Sequence, residues 1–314
     1  MGIVVAAGAR LEVRHSAFDN NRQDGIVLHD SVATVRDSVI NAGETQTADG
    51  LGLLAHGSRG ALLAERVSVI NGRKAGVGSQ IGAKVTLRAS TVRGTRPRGG
   101  MSIGVTVDSS STLEMRDSAV LENRGAGLAV IQGTATDKPP QATVERTLVA
   151  RTLPHASGDK GYAVGAQSGV VTMSDCALVD NAEIGALVLN ELGALRLNRT
   201  LVMRTQQTKQ RFGYGLLALN QATLQLIDSE VSQSPCVGIA VVDSSAVLNG
   251  GAVARNSIAV QVVGKTDLKN TATADALAPN VFLVSDTTTF FENDSRVGGG
   301  ALPLPEPPSP GFGH

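Results

Sequence analysis

The sequence predicts an all-β solenoid, a right-handed parallel β-helix of about ten coils, and three observations predict it. A glycine followed by an apolar pair recurs at Gly2, Gly25, Gly52, Gly76, Gly104, Gly127, Gly161, Gly185, Gly215 and Gly238, the self-similarity of a repeat architecture. Hydrophobic residues alternate at period two in short runs, and no window keeps a helical period long enough to compete. The 314 residues include 36 Gly, 3% aromatics and no Trp, so Val, Leu, Ile and Ala must fill a thin core between stacked strands.

Two coils set side by side show the template: GIVVAAGARLEVRHSAFDNN from Gly2 and GVTVDSSSTLEMRDSAVLEN from Gly104. Each holds three alternating runs separated by small or polar turns. A second ladder sets the register. A small residue two before an apolar one recurs as Ser16-Ala17-Phe18, Ser38-Val39-Ile40, Ser68-Val69-Ile70, Ser90-Thr91-Val92 and Ser118-Ala119-Val120. It continues from Thr147, Cys176, Thr200, Ser229 and Ala252. Equivalent residues of parallel-paired coils lie ~4.8 Å apart, so this ladder predicts an inward file of hydroxyls beside an aliphatic file. Five residues after the small one comes a polar or turn-forming residue, at Asn21, Gly43, Thr95, Asn123, Thr152, Asn181, Thr205 and Ser234. Asn at such a turn satisfies backbone groups and tolerates left-handed geometry.

A glycine-led aliphatic strand, a small residue before an apolar one and Asn at the turn together resemble the parallel β-helix repeats of the pectin-lyase-like superfamily, over residues 2 to about 263. No specific enzyme family is matched, and an architecture does not by itself imply a function.

The ladder places Cys176 at a Ser position, an inert interior thiol. Cys236 sits elsewhere on its coil, out of disulfide reach. Residues 1–263 form the β-helix. Residues 264–297, with Phe282, Phe290 and Phe291, are expected to fold over the last coil as a cap. Residues 298–314 are Gly/Pro-rich and expected to be disordered. The repeat begins at once at Gly2-Ile3-Val4-Val5 without a signal-type segment, which suggests a piece of a longer chain. No run approaches a membrane span.

Enlarged loops at 42–51, 94–103, 152–160 and 205–214 enter at one template position on alternate coils, so their bases stack ~10 Å apart. A fifth, at 133–141, enters at a different turn. The stacked loops carry Arg96, Arg98, His155, Asp159, Lys160, Lys209 and Arg211, with Tyr162, Phe212 and Tyr214 at or beside their ends. Guanidinium and ammonium groups suit carboxylate or sulfate oxygens, and aromatic faces suit sugar rings. Arg96, Arg98, Asp159, Lys160, Tyr162, Lys209, Arg211 and Tyr214 are therefore the candidate ligand-binding set. The partner expected is an acidic polysaccharide or another surface protein.

Lysine and arginine together balance aspartate and glutamate at 28 each, so nothing points to nucleic acid. No cofactor and no metal spacing are called for. The superfamily resemblance implies uronic-acid chemistry, but its signatures are missing. There is no Asp pair with Gly-His-Gly, no Arg-x-Lys and no Asp-Pro-His-Asp. His155, Lys160 and Arg96 are the remaining catalytic candidates. Asp37-Ser38, Asp117-Ser118 and Asp228-Ser229 read as scaffold, with Ser inward and Asp outward. The function expected is a non-catalytic β-helix module of a secreted or cell-surface protein, a spacer or a carbohydrate- or protein-binding face. The alternative is a polysaccharide lyase or epimerase working through the stacked loops.

Overall fold

The structure is a computed structural model that describes residues 2–21, 24–42, 50–96, 102–133, 138–155, 161–207, 213–265, 267–270 and 281–298. Among these residues every element is a strand, and the strands form two sheets, of twelve and twenty-one strands. Pairing is parallel throughout, each strand bonding to its equivalent one coil away. Ten strands of the twelve-stranded sheet carry or adjoin the predicted glycines; Ile258–Val263 and Ser295–Gly298 extend it by two.

The glycine file exists because there is no room for a side chain. A Cβ at Gly104 would lie 2.6 Å from the Gly127 carbonyl oxygen and 2.8 Å from Val120 Cγ1. The chain bends here so tightly that successive coils approach backbone to backbone. At one coil the assignment to Gly161 is two residues early: Ala126 pairs with Tyr162, so Ala163 takes the place equivalent to Gly127.

The second ladder is also built as files. The Ser38, Ser90, Ser118 and Ser229 hydroxyls each donate to the carbonyl two residues back, at 2.6 to 2.9 Å, and accept from the backbone N–H of the neighbouring coil at 3.1 to 3.2 Å. Cys176 repeats the geometry with sulfur, 3.2 Å from the Ser174 carbonyl. Two coils slip by one against the sequence reading. Val67, not Ser68, pairs with Ser38, and Val253, not Ala254, follows Val231 in the aliphatic file. Ser68 and Ala252 therefore stand beside Val39 and Glu230 on the outward-alternating positions.

The residue before each position of this file turns the corner in left-handed conformation, with φ of 48° at Asp37, 53° at Arg66, 52° at Asp117, 44° at Arg146, 55° at Asp175 and 45° at Arg199. This geometry throws those side chains outward, where they pair across coils. Arg66 grips Asp37 at 2.6 and 3.0 Å, Arg146 grips Asp117 at 2.6 and 3.0 Å, and Arg199 grips Asp175 at 2.7 and 2.8 Å. The Asp-Ser neighbours are scaffold on both sides of the wall.

Residues 281–298 add one more coil: Phe282 pairs beside Ala246, Phe290 beside Val253 and Val297 beside Val260. Phe282, paired between Ala246 and Leu268, is fully buried, and Phe290 packs against the core, so large rings enter files that smaller residues fill elsewhere. The tail 299–314 lies outside the described residues.

Candidate functional site

The four predicted loops all leave the third strand of a coil and enter the twelve-stranded sheet, between Val32–Asn41 and Leu51–His56, Thr91–Arg93 and Ser102–Asp108, Leu148–Ala150 and Tyr162–Gln167, and Leu201–Met203 and Tyr214–Leu219. The corner at their base is held by an amide file. Asn123, Asn181 and Asn256 accept from the N–H of Thr95, Thr152 and Ser234 at 2.9 to 3.1 Å and donate to the carbonyls of Val92, Val149 and Val231 at 3.0 to 3.2 Å. These amides are buried, so each satisfies two main-chain groups that water cannot reach.

Where a long loop is followed by short turns, the wall is recessed. More residues separate Arg204 from the next strand than separate Gln233 or Arg255 from theirs. An open hollow of about 670 Å³ here is lined by Arg204, Gln206, Gln233, Pro235, Arg255 and Ser257 together with the carboxylates Asp180, Glu292 and Asp294. Arg204 is anchored to Asp180 at 2.6 and 2.9 Å, which holds the Asp180 carboxyl below the usual carboxylate range. Arg255 lies between Glu230 and Glu292, 3.6 Å from each, and its guanidinium stands 5.6 Å from the centre of the half-exposed Phe291 ring. Ser257 donates to the Pro235 carbonyl at 2.9 Å. The surface is thus a set of guanidiniums paired with carboxylates, with amides between them, which suits a hydroxylated ligand that can both donate and accept hydrogen bonds.

The predicted site residues are dispersed. Arg96 is exposed two coils from His155, which is itself half-buried two coils from the hollow. Tyr162 and Tyr214 do not stand on loops with open ring faces. They lie in Tyr162–Gln167 and Tyr214–Leu219, each 1% exposed, because alternation at those strands turns them into an apolar cluster on the outer side of the sheet. Burial pushes the Tyr214 phenol up to about 12. Arg98, Asp159, Lys160, Lys209, Arg211 and Phe212 lie outside the described residues. Sequence reasoning missed Arg204 and Arg255, whose signal was their place at the second corner of the template, next to the Asn file. Burial raises the thiols of both Cys176 and Cys236, which disfavours thiolate. Among the described residues, no group of three His, Cys, Asp or Glu could hold a metal ion, and no helix is long and apolar enough to cross a membrane.

The family described as right handed beta helix region matches residues 1–198. No curated protein sequence matches the chain. Among solved structures, pectate lyase Pel9A is similar with a TM-score of 0.54 at 10% identity, over 87% of this chain and 70% of that one. The periplasmic alginate epimerase AlgG, as a double mutant, matches with a TM-score of 0.41 at 12% identity, over 87% and 78%. The catalytic domain of a GH87 alpha-1,3-glucanase gives 0.36 at 11% identity, over 93% of this chain and 64% of that domain. At 10% identity the likeness to the pectate lyase is one of fold alone. By its repeat, its register and the matched region, the chain belongs to the right-handed β-helix family.

Proposed function

We propose that this protein is a non-catalytic β-helix module of a secreted or cell-surface protein, and that it holds a richly hydroxylated glycan in the corner hollow between Arg204 and Arg255. The observation that carries the reading is the composition of that hollow: the Arg204 and Arg255 guanidiniums, the Gln206 and Gln233 amides and the Asp180, Glu292 and Asp294 carboxylates around an open recess of about 670 Å³. Fixed donors and acceptors recognise sugar hydroxyls with little ordering cost. For proton abstraction beside a carboxylate a base poised near neutrality would be required, whereas the one margin carboxylate with a displaced titration, Asp180, is held low by Arg204. The stiff wall of paired coils supplies the spacer half of the role.

Affinity electrophoresis of the full chain against pectate, alginate, hyaluronan and neutral glucans tests the reading. At least one glycan should retard the protein, and R204A together with R255A should abolish the retardation with the far-UV spectrum unchanged. Retardation by none of them, or retardation indifferent to the double substitution, would remove the hollow as the binding site. Appearance of unsaturated uronate products would instead make the protein a lyase.

A further inference from the structure

The third strand of each coil stands between two corners, and its outer face is open to solvent. In Ala119–Leu121, Leu148–Ala150, Ala177–Val179 and Leu201–Met203 the middle residue enters the core and its two neighbours turn out by alternation. These outward positions are apolar: Ala119, Leu148, Ala177 and Leu201 form one file, and Leu121, Ala150, Val179 and Met203 the other. All but Ala150 keep solvent exposure, up to 37% at Leu148, and Val39 further along the first file reaches 41%.

Both edges of this face carry charges that alternate from coil to coil. One edge runs Asp117, Arg146, Asp175, Arg199, and the other runs Glu122, Arg151, Asp180, Arg204. Each of these residues sits at its corner in left-handed conformation, and successive ones pair at 2.6 to 3.1 Å.

We propose that this face is the interface of a homodimer, in which a second copy lies against it with its coils running in the opposite direction. The two-fold axis is parallel to the strands and passes between Leu148–Ala150 and Ala177–Val179. Such an axis reverses the order of the coils and keeps the position along each strand. An alternating file of four is complementary to its own reverse. Asp117 then faces Arg199 of the second copy and Arg146 faces its Asp175, while on the other edge Glu122 faces Arg204 and Arg151 faces Asp180. In the middle Leu148 faces Ala177 and Leu201 faces Ala119, so each large side chain meets a small one.

Other arrangements bring like charges together. An axis along the solenoid would set Asp117 against Glu122, Arg146 against Arg151, Asp175 against Asp180 and Arg199 against Arg204. Sliding the reversed copy by one coil would set Arg146 against Arg199 or Asp117 against Asp175. The edges therefore fix orientation and register, and the apolar files supply the affinity. Ten third strands lie symmetrically about the axis, from the end of Val32–Asn41 to Thr289–Phe291. At ~4.8 Å spacing and about 16 Å width they offer roughly 750 Å² per copy, near the ~800 Å² of a standard interface. A net charge of zero adds no general repulsion between copies.

The inference goes beyond the glycan reading, and Leu148 lies outside the hollow, so the two can fail separately. Sedimentation equilibrium of the full chain at micromolar concentration should return twice the chain mass. Leu148→Glu should raise the dissociation constant at least about tenfold with circular dichroism unchanged. Orientation is read by cysteine pairs in a Cys236→Ser background. A short bismaleimide should join Ala119→Cys to Leu201→Cys when the two variants are mixed, across the ~10 Å between packed sheets. Neither variant alone should be joined, because its two cysteines lie three further coil spacings, ~14 Å, out of line. A chain still monomeric at ~100 μM, a dimer indifferent to Leu148→Glu, or mixed variants that do not join would each overturn the proposal.

Discussion

Asn181 accepts two hydrogen bonds from Thr152, one from its backbone N–H at 3.1 Å and one from its hydroxyl at 3.0 Å, while donating to the Val149 carbonyl at 3.0 Å. One buried amide thus ties together the corner from which the 152–160 loop springs. Removing it leaves three buried polar groups without that partner, and each such group costs roughly 1–3 kcal/mol. Asn181→Ala should therefore lower the unfolding free energy by about 3 kcal/mol or more in urea titrations, and Thr152→Val by less.

The glycines of the bend and of the outer face should respond in opposite ways. Gly104→Val places atoms where a Cβ alone would stand 2.6 Å from a neighbouring backbone oxygen and 2.7 Å from the Asn123 amide nitrogen. Overpacking of this kind costs typically ~1–3 kcal/mol, and the denaturation midpoint should fall accordingly. Gly165→Ala meets nothing within 4 Å and should leave the midpoint nearly unchanged.

The corner ion pairs predict an acid-sensitive but not a strongly stabilising surface. Asp37, Asp117 and Asp175 are each held below the ordinary carboxylate range, chiefly by the hydrogen-bonded Arg66, Arg146 and Arg199. With folded values below unfolded ones, their contribution is present above the ordinary value of ~3.9 and is lost as pH falls through the folded values. Arg146→Gln with Arg199→Gln should barely move the melting temperature at neutral pH, because exposed pairs contribute little. The same variant should show a shallower fall in melting temperature on acidification, and added salt should narrow its difference from the parent.

His29 and His56 meet edge to face across adjacent coils, with ring centres 5.2 Å apart. Burial and then the neighbouring His29 hold His56 below its ordinary value, against a smaller opposing pull from Asp30. The unfolded chain binds this proton more readily, so stability should decline as pH falls below ~6.5 toward the folded value. Melting scans between about pH 7.5 and 5.5 should show that slope, and His56→Gln should flatten it.

The legible features were those that repeat. Glycine and hydroxyl ladders recur because each coil must solve the same packing problem, so Ser38, Ser90, Cys176 and Asn181 could be placed from sequence alone. Where the reading slipped, at Gly161, Ser68 and Ala252, the alternatives differ by one or two positions in runs of small and β-branched residues. Only the pairing Ser38 with Val67, or Ala126 with Tyr162, distinguishes them, and pairing is a contact between coils. Arg204 and Arg255 stand in ordinary corner positions outside the insertions, with no local sequence feature that sets them apart. Their meaning comes from the recess left by the short turns beside the long loop.

The sequence by itself determined the coil, its bends and its inward files, because these follow from local spacing repeated at each turn. Tertiary structure alone decided which side chains share a surface. It moved Tyr162 and Tyr214 from supposed loop platforms into an apolar outer face, gathered Arg204, Gln233 and Arg255 around one hollow, and made 281–298 one more coil. The physical reason is common to all three. Residues more than twenty positions apart become neighbours only when parallel strands set their register, and that register is a property of the whole stack.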